Sequence, residues 1–152
     1  MHKGYFIILL SLSLSLVICC QQPNNDMEKQ IIQTDNAPAP IGPYNQAVMV
    51  GNTMYLSGQI AIDPVSGDLV LTDIPSETKQ VMENLKAVLE AGGMNFSNVV
   101  KSTISISNMD NFSLINETYG SYFGDDAPAR ETVQVARLPK DVNVEISMIA
   151  VK

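Results

Sequence analysis

The chain lacks tryptophan, holds one histidine and two cysteines, and places all three of those residues within its first twenty positions, as His2, Cys19 and Cys20. Downstream of them there is no thiol and no imidazole. That absence removes a structural disulfide, a Cys or His nucleophile, a Ser-His-Asp triad and a Cys/His zinc site from the rest of the chain. Positive charge is also scarce. Nine Lys and Arg face sixteen Asp and Glu, for a net charge of −7 among 152 residues. Phosphate binding needs a basic face, so nucleic acid is not an expected partner. With 45% hydrophobic and only 16% charged residues, the composition is that of one globular domain and not of a disordered acidic chain. The chemistry left over is that of Asp/Glu, Lys, Arg, Tyr, Ser/Thr and backbone groups.

The first segment stands apart. MHKGYFIILLSLSLSLVICC has one early lysine, then an apolar run too short for a comfortable membrane span. It resembles a bacterial lipoprotein signal over residues 1–20, with Cys20 as the lipidated residue. Cys19 is the second choice, since it would put bulky Ile18 before the cut. An ordinary secretory signal or an uncleaved anchor is the plainer alternative. The expectation is an exported lipoprotein of the periplasm or cell envelope, touching the membrane only through this anchor. Residues 21–34 are polar and read as a tether; residues 35–152 read as the domain.

Within the domain, APAPIGPYNQAV is a proline-rich extended approach. Ala47–Val50 and Thr53–Ser57 flank Gly51-Asn52, a hairpin signal. Turns follow at Asp63-Pro64 and Ser66-Gly67, leaving room for a short third strand. Glu77–Ala91 has helical period, with Val81, Met82, Leu85, Val88 and Leu89 on one face, Ser76 as cap and Gly92-Gly93 as stop. Asn98–Ser107 alternates as a strand, with Val100, Ser102, Ile104 and Ile106 on one side. Asp110–Phe123 is a second helix, capped by Asn108, with Phe112, Ile115, Tyr119 and Tyr122 in a stripe. Thr132–Ala136 and Asn143–Val151 are closing strands joined by a Leu138-Pro139-Lys140-Asp141 turn.

That order predicts an α+β single domain: one mixed sheet with two helices on one face. The last strand carries apolar groups on both faces, Val144, Ile146, Met148 and Ala150 on one and Ile149 and Val151 on the other. A partly apolar face that no helix covers points to an oligomer; ordinary scattered surface aliphatics are the alternative.

The only two arginines, Arg130 and Arg137, lie in PARETVQVARLPKDVNVEI, together with Glu145 in an apolar strand. A solvated strand glutamate is the commonplace reading of Glu145. If the face is buried, the carboxylate needs a partner or a proton. Arg130 can pair with it, or can grip a ligand carboxylate while Glu145 handles water beside it. The residues themselves leave these two readings open. Arg137, beside a turn, reads as structural.

PARETVQVARLPKDVNVEI closely resembles the C-terminal signature of the RidA (YjgF-like) reactive intermediate deaminase family. APAPIGPYNQAV, YLSGQIAIDP, ETKQVMENLKAVLEAGG and NETY match further family motifs in the same order. The resemblance implies a chorismate-mutase-like fold, assembled as a homotrimeric barrel with clefts between subunits. It implies hydrolysis of 2-imino acids or their enamines to 2-oxo acids and ammonia, with no metal or organic cofactor. Arg130 then holds the substrate carboxylate and Glu145 positions water and moves protons. Tyr44, Ser57, Gly58 and Asn116 line the cleft. Two positions depart from the common pattern: Thr132 stands where many members have Cys, and Glu131 where Ser or Thr is frequent. Strand alternation sends Glu131 away from Arg130. The alternative is a non-catalytic module that binds small carboxylates such as 2-oxo acids in the envelope; a bare interaction scaffold is the third reading.

Overall fold

The computed structural model describes residues 28–152. The expected signal segment, the Cys20 lipidation site and most of the tether lie outside the described residues. One part of the tether does not: Lys29–Ile32 forms a strand, β1, paired antiparallel with Ala47–Val50 (β2). The polar composition of residues 21–34 thus hides a sheet edge. Three of the four β1 residues are exposed and only Ile32 is buried, so the strand has little apolar signal of its own.

β2 turns at Gly51, φ +59°, into Thr53–Gln59 (β3). Glycine occupies this left-handed conformation without the steric cost of a Cβ. The segment after β3 forms no third hairpin strand. It makes a single bridge, Ile62 to Leu69, around the two expected turns. The first helix, Ile74–Ala91 (α1), starts three residues earlier than its apolar period. Its cap is Asp73, whose carboxylate accepts from Ser76 N at 2.7 Å, and Pro75 sits in its first turn. Ser76 is inside the helix. The apolar face is as expected: Val81, Met82, Leu85, Val88 and Leu89 are fully buried. Each such side chain contributes roughly 1.5–3 kcal/mol over its exposed state.

Val99–Ile106 (β4) follows. A bulge between Val99 and Lys101 buries Val99 and turns Val100 outward, so Val100 leaves the face shared by Ser102, Ile104 and Ile106. The second helix is shorter than its stripe. Met109–Asn111 is a 3₁₀ turn capped by Asn108, and Phe112–Gly120 (α2) is the α-helix proper. Ile115 and Tyr119 are buried, whereas Phe112 stays partly exposed. Ala129–Gln134 (β5) and Val144–Val151 (β6) complete the sheet.

The strand order is β1-β2-β3-β6-β4-β5. All pairs are antiparallel except β4 and β5, which are parallel. A parallel neighbour needs a crossover, and α2 supplies it. α1 packs on β3 and β6, and α2 packs on α1, so both helices cover one face. The fold is therefore α+β with one mixed sheet. The core lies between that face and the helices, from Met54 and Leu56 through Ile146 and Met148 to Ile104 and Ile106.

Candidate active site

β6 sets the first half of the site. Val144, Ile146, Met148 and Ala150 face the helices and are buried, while Glu145, Ser147, Ile149 and Val151 face the uncovered side. Glu145 pairs across to Ser105 of β4. On the other flank of β6, the register with β3 shifts between Leu56 and Gln59, and Ser57-Gly58 lies in that irregularity. The shift brings the Gly58 backbone against the Glu145 carboxylate. A Cβ at Gly58 would stand 2.8 Å from Glu145 Cδ and overlap the carboxylate oxygen. Glycine here leaves room for the carboxylate, which a Cβ would displace; no positive φ is involved.

The Glu145 carboxyl is half-buried, and burial alone pushes its pKa above the usual carboxylate value. No ion pair reaches it among the described residues. Ser57 Oγ donates to Asn45 O at 2.6 Å, and Ser57 N donates to Gln46 O at 3.0 Å, so the bulge is tied to the residues just before β2. Tyr44 Oη accepts from Ile41 N at 3.2 Å. Tyr44 and Gly58 share a small pocket with Pro40, Ile41, Gln59 and Ile60. The loop that forms its wall hangs on Gln46. This buried amide donates to Thr34 O, Ala37 O and Pro38 O and accepts from Thr34 N. Gly58 thus touches both the Glu145 carboxylate and the pocket that Tyr44 lines, with Ser57 next to it in the same irregularity.

Arg130 does not join them. It lies on β5 opposite Ser102, which is fully buried on the helix-covered face. Paired strand residues share a face, so Arg130 and Glu145 point to opposite sides of the sheet, with β4 between their strands. Of the two readings the residues left open, a direct Arg130–Glu145 pair within one chain is thereby excluded. The physical cause is the parallel β4-β5 pairing, which puts β5 at the edge and leaves β6 to β3 and β4.

The guanidinium of Arg130 stands 5.0 Å from the Tyr119 ring centroid and 5.8 Å from that of Phe112. Tyr119 Oη donates to Ser102 Oγ at 2.9 Å, and burial raises the phenol's pKa. Asn116 is exposed on α2, one turn beyond Phe112, so helical spacing puts it on the Arg130 side of that helix. Thr132, two residues along β5, shares the face of Arg130. Among the described residues its Oγ1 is the one buried side-chain polar atom without a hydrogen-bond partner. Such a group invites a ligand or water. Glu131 lies on the other face, where its carboxylate accepts from Thr103 Oγ1 at 2.9 Å and pairs with Lys101 at 3.5 Å. It leaves the charge of Arg130 intact. Arg137 is structural: its guanidinium grips Asp141 through two hydrogen bonds, 2.6 and 2.9 Å.

Two contributors escaped the sequence. Glu77 is fully buried at the start of α1, and its carboxylate accepts from Asn143 N (2.6 Å), Asn143 Nδ2 (2.8 Å) and Val144 N (3.2 Å). It thereby fixes the two residues before Glu145. The Asp73 cap with Pro75 would have placed Glu77 inside the helix, but nothing local shows that its carboxylate is buried. Gln46 gave no signal either, because its partners are backbone carbonyls of a loop without periodicity.

One chain therefore presents two half-sites. One offers a carboxylate against Gly58 of a small pocket; the other offers a guanidinium that has no ion pair among the described residues. The family model described as Endoribonuclease L-PSP matches residues 34–152. A RutC family protein of Pyrococcus horikoshii is 51% identical over 124 residues, covering 82% of this chain and 98% of the relative. The mouse protein named 2-iminobutanoate/2-iminopropanoate deaminase is 48% identical over 124 residues, covering 82% of this chain and 92% of the relative. Among solved structures, E. coli TdcF with bound serine superposes with a TM-score of 0.77 at 41% identity, covering 81% of this chain and 98% of that one. With that coverage and identity, and with the motifs and the fold in agreement, the chain belongs to the endoribonuclease L-PSP family, the family that includes RidA.

Proposed function

We propose that the protein is a hydrolytic deaminase that converts 2-imino acids and their enamines to 2-oxo acids and ammonia. The observation that carries this reading is the state of Glu145: a half-buried carboxylate, without an ion-pair partner among the described residues, against Gly58, which leaves it room and itself lines a small pocket. The carboxyl's raised pKa moves it toward neutrality, where a group can both take and give a proton. An imine carbon is already electrophilic, so water needs orientation more than a strong nucleophile. Glu145 takes a proton from water as the C–O bond forms at the imine carbon and passes it to the nitrogen, giving the carbinolamine. Glu145 then takes the hydroxyl proton and passes it to the amine nitrogen as the C–N bond breaks, so that ammonia departs and the 2-oxo acid remains. Arg130 holds the substrate carboxylate with two parallel hydrogen bonds. The 48% identity to a named imine deaminase supports the same chemistry.

Because Arg130 and Glu145 lie on opposite faces, the reading needs two copies. Arg130, with Asn116 beside it, comes from one subunit, and Tyr44, Ser57, Gly58 and Glu145 from the next, in a homotrimer. The uncovered sheet face supports this assembly. Its register aligns Val48, Tyr55 and Ile149 across three strands, and Tyr55 is 51% exposed in the single chain. The acidic balance weighs against RNA as substrate, whatever the family's name. The proposed location is the cell envelope, on the resemblance of residues 1–20 to a lipoprotein signal. Fatty-acid labelling that is equal in the wild type and a Cys19→Ser/Cys20→Ser variant would remove that assignment.

The second reading is a small-carboxylate binder without turnover; a relative with bound serine favours attention to it. The deciding assay supplies freshly generated 2-iminopropanoate and follows ammonia and 2-oxo acid release over the uncatalysed rate. Acceleration supports the deaminase. Tight 2-oxo acid binding with no acceleration supports the binder.

A further inference from the structure

Arg130 carries no ion pair among the described residues of a chain with sixteen acidic side chains. Two aromatic rings take the place of a carboxylate. The Tyr119 ring is immobilised: its side chain is buried, its hydroxyl bonds Ser102, and its ring packs on Phe123 at 4.8 Å between centroids. Phe112 is different. It opens α2 with 37% of its surface exposed, and core packing alone gives no reason to display a phenyl group there.

The physical difference between the two kinds of partner is what they leave free. A carboxylate would hold the guanidinium by occupying its N–H fork and cancelling its charge. An aromatic face attracts the cation through the ring quadrupole and uses none of the N–H groups. A guanidinium resting on rings is thus ordered, charged and still able to donate. Ordering it before the ligand arrives removes part of the entropy otherwise lost on binding.

We propose that Phe112 and Tyr119 are positioning residues, an aromatic clamp that fixes the Arg130 guanidinium with its hydrogen-bonding fork open to a ligand carboxylate. The proposal rests on the reading that Arg130 is the carboxylate-binding group. Phe112 is the informative member, because its exposure makes it dispensable for folding, whereas Tyr119 also belongs to the core.

The test uses 2-oxobutanoate as a stable carboxylate probe, titrated calorimetrically into the full chain, with the melting temperature and oligomeric mass of each variant measured alongside. Phe112→Leu is expected to bind about fivefold more weakly, a cation–π-sized loss, with unchanged melting temperature and mass. Phe112→Tyr restores the affinity. Tyr119→Phe keeps the ring and the affinity but melts earlier, since Ser102 loses its partner. In imine turnover, Phe112→Leu raises KM by the same factor and leaves kcat unchanged. Wild-type affinity in Phe112→Leu overturns the clamp. Arg130→Ala separates the two levels. If it loses the probe while Phe112→Leu does not, the reading of Arg130 stands and the clamp falls. If Arg130→Ala binds as the wild type does, the reading falls and the clamp with it.

Discussion

The two ends of one short segment treat an arginine in opposite ways. At the start of β5, Arg130 rests on Tyr119 and Phe112 and has no ion-pair partner among the described residues. Just beyond the strand, Arg137 is locked in a bidentate pair with Asp141, in a turn where Lys140 and Asp141 both take positive φ, +56° and +58°. Both are the same side chain in the same acidic protein. One has its hydrogen bonds spent on a local turn; the other keeps them available. The carboxylates repeat the contrast. Glu77 is buried with three N–H donors on it, whereas Glu145 is half-buried and has no ion-pair partner among the described residues. Satisfied charges hold this molecule's shape, and the two without an ion-pair partner among the described residues are the ones proposed to meet a ligand.

The sharpest way to break that comparison is to remove each arginine in turn. Arg130→Ala should lower kcat/KM for 2-iminopropanoate by about 100-fold or more, the loss expected of a charge-assisted carboxylate grip. Arg137→Ala should retain most of the activity. Equal losses would erase the distinction between them. Among the carboxylates, Glu77→Ala should destabilise the fold by about 3 kcal/mol in urea unfolding, because three buried donors lose their acceptor. A loss below about 1 kcal/mol would mean that water replaces the carboxylate.

Gly58→Ala sharpens the other side. The Cβ displaces the flexible end of Glu145 and not the backbone, so activity should drop about tenfold while the urea midpoint hardly moves. A large fall in stability with normal specific activity would show that Gly58 serves the strand and not the carboxylate.

The smallest effect is a pH-dependent one. Glu145 has its carboxyl pKa raised in the folded state by burial. Its neutral form is favoured on folding, so its contribution is fully present below the ordinary carboxylate pKa and is lost as pH rises through the raised one. Glu145→Gln should therefore melt on the order of 2 °C higher than wild type at neutral pH. It should show no such gain in acid, below the usual carboxylate range. A gain that does not depend on pH would assign it to packing.

Much of this was legible in the chain. The apolar period of α1 predicted which side chains are buried, and the alternation of β6 predicted which share a face, because both patterns repeat within a few residues. The same alternation separated Glu131 from Arg130. The loss of His and Cys from the domain reduced the candidate chemistry to a few groups, and Arg130 and Glu145 were among them. Errors collected where a partner far along the chain decides. β1 looked like tether because its pairing with β2 is its main support. Val100 changed faces at a bulge that only the register with β6 reveals. Glu77 marked only the start of the expected helix, and its contact with Asn143, 66 residues away, is what shows it as a buried anchor.

The amino-acid sequence by itself determined the α+β class, the faces of the main helix and last strand, and the short list of groups able to do chemistry. Those follow from local periodicity and from which side chains are absent. Only the tertiary structure decided that Arg130 and Glu145 stand on opposite faces of one sheet. Strand order is set by non-local hydrogen bonding: the α2 crossover lays β5 parallel to β4 at the edge, and the antiparallel β3 and β4 enclose β6. No pattern within either strand encodes that choice.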